Sequence, residues 1–274
     1  VGNALVLRAR LATAAVAIPL LVALIFGPPV WVWRLVVILI STLALVEYGA
    51  LAFNSRLGPR VVGALLGVAV ILAGVSEPQP GPRLAAALSL TMAGALSYVV
   101  LLRRDLERGL ADVGLIVIGV LYTGLLLPHF YWLRELPDGA AWVTFVITIA
   151  MAGDSSGYFV GHAYGRHKLI PHVSPGKTVE GAIGIIVGSL VFAALAKLVL
   201  EYFGVLSPRS WTEILTLATV MAIIGQVGDL TESVMKRSFG AKESGALFPG
   251  HGGVLDRIDS LLFPVALVYY YLLA

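Results

Sequence analysis

Between Gly228 and Ser260, a chain otherwise poor in charge gathers Asp229, Glu232, Lys236, Arg237, Lys242, Glu243, His251, Asp256, Arg257 and Asp259. Asp229, Glu232, Ser233 and Lys236 follow an i, i+3, i+4, i+7 spacing, so one helix face carries them all. For Glu232 the simplest reading is an ion pair with Lys236 at a helix end. Asp229 lies deeper in apolar sequence, where an unpaired carboxylate costs roughly 2.5–3.5 kcal/mol, and a metal ion is the expected partner. Asp256, Asp259 and Ser260 share a second face. An acid at a helix start can cap it and favour its dipole, which accounts for one of these aspartates better than for both. Together with Asp229 they would make a hard oxygen site suited to Mg²⁺ carrying a substrate phosphate. Asp154 is a further possible ligand.

Two loops have the composition to meet that phosphate. Pro249-Gly250-His251-Gly252-Gly253 precedes Asp256. Its glycines let backbone approach a ligand, and the helix that follows offers free N–H groups to an anion. His251 could be a base, a metal ligand or a phosphate donor. The second loop, 162–180, contains Ser174-Pro175-Gly176-Lys177-Thr178-Val179-Glu180-Gly181. A P-loop would need glycine at 171, which is Pro171, and a preceding strand that the sequence does not suggest. Lys177 can still hold phosphates from a turn at a helix start. His162, His167 and His172 recur without metal-ligand spacing and read as interfacial polar residues.

The elements that must position these residues are membrane helices. Of the 274 residues, 58% are hydrophobic and 13% charged, about half the charge of an ordinary soluble domain. The apolar runs are alanine-, leucine- and valine-rich and about 20 residues long, which fits helices rather than a β-barrel. The absence of cysteine excludes disulfides, thiolate metal sites and cysteine nucleophiles. We read an all-α, polytopic integral membrane protein with about nine spans: 8–27, 30–53, 61–76, 84–102, 110–131, 141–161, 181–203, 211–235 and 256–273. Residues 11–27 have the length of a signal peptide but lack a small-residue cleavage site before Pro28-Pro29, so they are read as a first span. A cytoplasmic N-terminus puts 14 of the 19 lysines and arginines on the inner side, leaving Arg34, Arg83, Arg134 and Arg209 outside and Lys197 within a span. Asp154, Asp229 and Asp256 then lie at similar depth near the cytoplasmic interface, and both polar loops emerge there. Glu47 and Arg34, too far apart to pair along one helix, are left without a partner.

Ser233-x2-Lys236-Arg237-x4-Lys242-x2-Gly245, followed by Pro249-Gly250-His251-Gly252-Gly253-x2-Asp256-Arg257-x-Asp259, closely resembles the signature of the bacterial phosphatidate cytidylyltransferases, or CDP-diacylglycerol synthases. Asp154-Ser155-x-Gly157-Tyr158 and the Ser174–Gly181 run also look like this family. The strong resemblance covers about 150–264, within a C-terminal group of helices, 110–274; the N-terminal group, 1–109, is compatible with it. One position departs: Glu243 stands where the family usually has aspartate, and its longer reach argues against a direct metal-ligand role.

The resemblance implies that CTP and phosphatidate react to CDP-diacylglycerol and pyrophosphate with Mg²⁺, at the inner membrane of a bacterium, and by family analogy it suggests a homodimer. It implies Asp229, Asp256, Asp259, Lys236, Lys242 and His251 as catalytic residues, with the three aspartates on the metal. Ser174, Lys177, Arg237, Gly250, Gly252, Gly253 and Arg257 would bind substrate. A transporter would place its acids near the midplane and show repeats, and a CDP-alcohol phosphotransferase would carry an Asp-Gly-x2-Ala-Arg run, which is absent. A CTP-using polyprenol kinase is the nearer rival.

Overall fold

A computed structural model describes residues 19–102, 107–245, 247 and 252–274. Helix α1 is described over residues 19–26 and ends at the Pro28-Pro29 turn. The helices that follow are α2 (Val30–Phe53), α3 (Leu57–Gly74), α4 (Pro82–Leu102), α5 (Gly109–Gly119), α6 (His129–Glu135), α7 (Gly139–Tyr164), α8 (Val179–Tyr202), α9 (Trp211–Ser238) and α10 (Leu255–Leu273). Among the described residues, seven helical segments are long and apolar enough to cross a membrane. The body is thus an all-α, polytopic membrane protein. α10 carries Asp256, Arg257 and Asp259 in its first turns and is apolar beyond them.

The structure differs from the sequence reading at three places. The segment expected as one span over 110–131 is α5, a π-helical stretch (Val120–Leu125) and α6. The loop 162–180 is not irregular throughout: β1 (Lys168–Ile170) pairs antiparallel with β2 (Ser174–Thr178). This hairpin feeds directly into α8, whose first turn is capped where Gly181 N–H donates to Thr178 Oγ1 at 3.1 Å. α3 begins at Leu57, four residues before the expected start, which shortens the preceding linker.

Small residues bring the site-bearing helices together. Gly157 and Gly161 of α7 face Gly181 of α8, Gly153 faces Ser189, and Gly184 and Gly188 of α8 receive Val160 and Ser156 of α7. A Cβ at Gly157 would meet Gly181 O at 3.1 Å and collide with Ile185, and one at Gly181 would lie 3.4 Å from Gly161 Cα. Such small-x3-small faces allow backbones to approach within the membrane. α9 and α10 meet in the same way, a Cβ at Gly225 falling 3.0 Å from Ser260 O and one at Gly228 colliding with Asp259 O. Asp154 and Asp229 lie one residue from these contacts and Asp259 makes one of them, so close packing sets their separation. Gly157→Val is expected to lower the unfolding midpoint in detergent by about 3–10 °C, the effect of roughly 1–3 kcal/mol of overpacking. An unchanged midpoint would mean that the helices part at no cost.

At the far end of α10, Trp132, Trp142, Tyr131 and Tyr269 are fully buried. Arg34 donates to the Tyr131 hydroxyl at 2.5 Å with its guanidinium over the ring, so the structure supplies the missing partner. Asp138 precedes α7, and hydrogen bonds from Ser207 hold its carboxyl below the usual carboxylate range.

Candidate active site

Four aspartates from three helices converge on one cleft. Asp154 from α7, Asp229 from α9, and Asp256 and Asp259 from α10 line a cavity of about 480 Å³, together with Lys177, Gly176 and Thr178 from the hairpin. Tyr158 and the exposed His162 form part of its wall. An apolar groove of about 490 Å³ backs onto the same carboxylates. It is lined by Leu21, Leu24, Trp33, Val36, Val37, Ile40 and Phe130 and shares Asp154, Asp256 and Asp259 with the polar cleft.

Asp256 is the most heavily bonded of the four. Its Oδ1 accepts from Lys236 Nζ at 2.5 Å. Its Oδ2 accepts from Ser244 N at 2.8 Å, Ser244 Oγ at 2.7 Å and Gly253 N at 2.8 Å. Lys236 also pairs with Glu232 at 2.5 Å, so the ion pair read from spacing is present, and the Glu232 side chain is only 2% exposed. Asp229 Oδ2 pairs with Lys177 Nζ at 2.5 Å. The carboxylate expected to need a metal therefore has a lysine against it. Asp154 Oδ2 accepts from Ser260 Oγ at 2.8 Å.

Asp259 stands apart. Its Oδ1 accepts from Ser260 N at 2.7 Å, and the negative charges of Asp229, Glu232 and Asp154 bear on it. Among the described residues it has no ion pair. Nor, among them, do three or more His, Cys, Asp or Glu side chains form a ready metal cluster; Lys177 and Lys236 are paired with two of the aspartates. In donor chemistry the four fit a hard cation: all are carboxylates, all line one cleft, and one lies among three other acids with no ion pair among the described residues.

The remaining expected site residues are distributed unevenly. Gly253 is at the site through its N–H, and Gly252 turns the chain at φ +79°. Arg257 is exposed and borders the apolar groove. Arg237 is exposed and donates to Ala241 O at 3.1 Å. Lys242 and Glu243 are exposed, and neither lines the cleft. Ser174 opens β2 away from the cleft wall. Gly250 and His251 lie outside the described residues.

Several contributors were not expected from the sequence. Ser244 bridges the loop to Asp256, and Ser260 orients Asp154. Glu180 anchors the hairpin base, accepting from Arg166 N at 3.1 Å and lying 2.6 Å from His167 Nδ1. Glu47 of α2 accepts from Leu255 N at 3.0 Å. Only the α7–α8 packing had a readable signal, the repeat of glycine every fourth residue from Gly153 to Gly161; the serines and Glu47 depend on tertiary placement.

The model of the cytidylyltransferase family matches residues 8–274. The phosphatidate cytidylyltransferase of Bacillus subtilis (strain 168) is 37% identical over 178 residues, 65% of this chain and 64% of the relative, so the chain spans just under two thirds of that protein's length. The protein of the same name from Staphylococcus epidermidis (strain ATCC 12228 / FDA PCI 1200) is 34% identical over 213 residues, 77% of each. That of Staphylococcus aureus (strain COL) is 36% identical over 177 residues, 64% of this chain and 65% of the relative. With three aspartates shared between a polar cleft and an apolar groove, and a family match that runs nearly end to end, the chain belongs to the cytidylyltransferase family.

Proposed function

We propose that this protein is a phosphatidate cytidylyltransferase, converting CTP and phosphatidate to CDP-diacylglycerol and pyrophosphate. The observation that carries the reading is the shared wall of Asp154, Asp256 and Asp259 between the polar cleft and the apolar groove. One reactant is a water-soluble polyanion and the other an amphiphile whose phosphate must reach it while the acyl chains stay in an apolar phase. A cleft and a groove that meet at charged groups suit that pair.

A phosphate oxygen of phosphatidate attacks the α-phosphorus of CTP. The bond from that phosphorus to the bridging oxygen breaks, and pyrophosphate leaves with the electron pair. The second pKa of a phosphate monoester is about 6, so the attacking oxygen is largely ionised at neutral pH and no strong base is needed. The chemical difficulty is gathering several anions in one place. Lys177 lines the cleft to neutralise them, Lys236 is held against Asp256 of its wall, and Arg257 borders the groove for the lipid phosphate. Mg²⁺ would be held by Asp229, Asp256 and Asp259, with Asp154 beside them, and would supply charge neutralisation at the α-phosphate and the leaving pyrophosphate. Asp229 and Asp256 would each exchange a lysine contact for that role, freeing lysine ammonium groups for phosphate.

In the same reading the chain has nine spans and a cytoplasmic N-terminus in a bacterial inner membrane. The uneven distribution of lysine and arginine supports this orientation. It would open the polar cleft to cytosolic CTP and the groove to the inner leaflet.

Pyrophosphate release by purified protein in detergent tests the reaction. Release is expected only when CTP and phosphatidate are both present, and it should stop in EDTA. Release of CDP with phosphorylation of a lipid alcohol would overturn the reading in favour of a CTP-using lipid kinase.

A further inference from the structure

Glu47 lies on α2, remote in sequence from every residue discussed as reacting, and yet its carboxylate touches the loop that leads into α10. Oε2 accepts from Leu255 N at 3.0 Å. Leu255 is the first residue of α10, and Val254 before it provides no side-chain cap. Glu47 thus satisfies, from another helix, one of the free N–H groups at the start of α10. The loop backbone is also moulded to this carboxylate. A Cβ at Gly245 would lie 2.8 Å from Glu47 Oε1, and one at Gly253 would collide with Oε2. Ser244 Oγ approaches Oε2 at 3.5 Å while donating to Asp256 at 2.7 Å.

The neighbouring residue fixes α2 in register. The Tyr48 hydroxyl donates to Leu115 O at 2.9 Å, and its ring packs edge-on to Phe239 at the end of α9. A Cβ at Gly119 would collide with that ring. Glu47 is therefore held by contacts that do not depend on the loop it caps.

We infer that Glu47 is a positioning residue for the reaction proposed above: it clamps the first turn of α10, and through it Asp256 and Asp259, to the N-terminal helices. The clamp works by reach and acceptance, so it separates variants that a charge role or a packing role would not. Glu47→Ala loses the oxygen. Glu47→Asp keeps the charge but is a methylene too short for Leu255 N. Glu47→Gln loses the charge but keeps an oxygen at the right distance.

The test is steady-state pyrophosphate release with CTP and phosphatidate, paired with amide exchange of the peptide spanning 252–258. E47A and E47D are expected to lose about tenfold or more in kcat, the usual scale for groups that orient reacting ligands, with the KM for phosphatidate within about twofold. Exchange at 252–258 should quicken in both. E47Q should keep most of the turnover and the protection, and all three variants should unfold near the parent midpoint. E47A or E47D with parental kcat and parental exchange overturns the inference, as does E47Q failing as badly as E47A. If E47A does not fold, the contrast of E47D with E47Q decides. If the parent itself releases no pyrophosphate, the proposed reaction fails and the exchange contrast still decides the clamp.

Discussion

Replacing Asp256 by asparagine is expected to cut kcat by about a thousandfold or more in a protein that still folds. Asp256 collects four donated hydrogen bonds, from Lys236 Nζ, Ser244 N, Ser244 Oγ and Gly253 N. Asparagine has one oxygen and one NH2 group. With the oxygen turned to Ser244 and Gly253, the NH2 faces the Lys236 ammonium, donor against donor. With the opposite flip it faces three donors. Either way the negative charge that organises the loop is gone, together with a carboxylate proposed to hold the metal. Breaking a buried pair can cost about 3–5 kcal/mol, but Lys236 retains Glu232 at 2.5 Å and is not left unpaired, so the stability loss should be smaller. Thermal unfolding in detergent measured beside pyrophosphate kinetics separates the two effects. Turnover near the parent's with a parental midpoint would remove Asp256 from the reacting centre.

The sequence made legible whatever follows from local pattern. Apolar run length places the helices, and the Glu232–Lys236 pair follows from i, i+4 spacing. The Gly228–Ser260 stretch identifies where charge gathers. Contacts between remote segments were not legible. Nothing in the spacing of Asp229 announces Lys177, because the pair depends on a hairpin bringing residue 177 back over α9. The hairpin has no sequence signal because Ser174-Pro175-Gly176 reads as a turn, whereas Ser174 pairs with Ile170 and Thr178 with Lys168 across an irregular register. The broken span through Val120–Leu125 has no proline to announce it. Glu47 looked anomalous because its partner is a backbone N–H, and a backbone group has no sequence signature. The signature offers Lys236 and Lys242 alike as catalytic, whereas the fold separates them: Lys236, like Lys177, meets an aspartate, while Lys242, like Arg237, is exposed.

The Lys177–Asp229 contact makes the second large prediction. If the pair is a resting arrangement that opens for substrate, its members have separate tasks. Lys177→Ala then removes a cation from the triphosphate, and kcat/KM for CTP should fall about a hundredfold, or ~2.7 kcal/mol of transition-state stabilisation. Asp229→Asn removes a proposed metal ligand and should lower kcat by a similar factor. The side chains are 23% and 28% exposed, but the Lys177 ammonium itself is buried, so losing one partner costs more than the ~1 kcal/mol of an exposed pair, and thermal unfolding in detergent is measured beside the rates to show that each single variant stays folded. The double variant decides between the two roles. Residues that matter only through each other give a double variant no worse than the worse single, because the second change has nothing left to remove. Residues with separate tasks give a double loss well beyond either single. Initial rates across CTP concentrations for the parent, both singles and the double supply the comparison. A double variant equal to K177A would make the contact purely structural, and a phosphate role for Lys177 would then have to be abandoned.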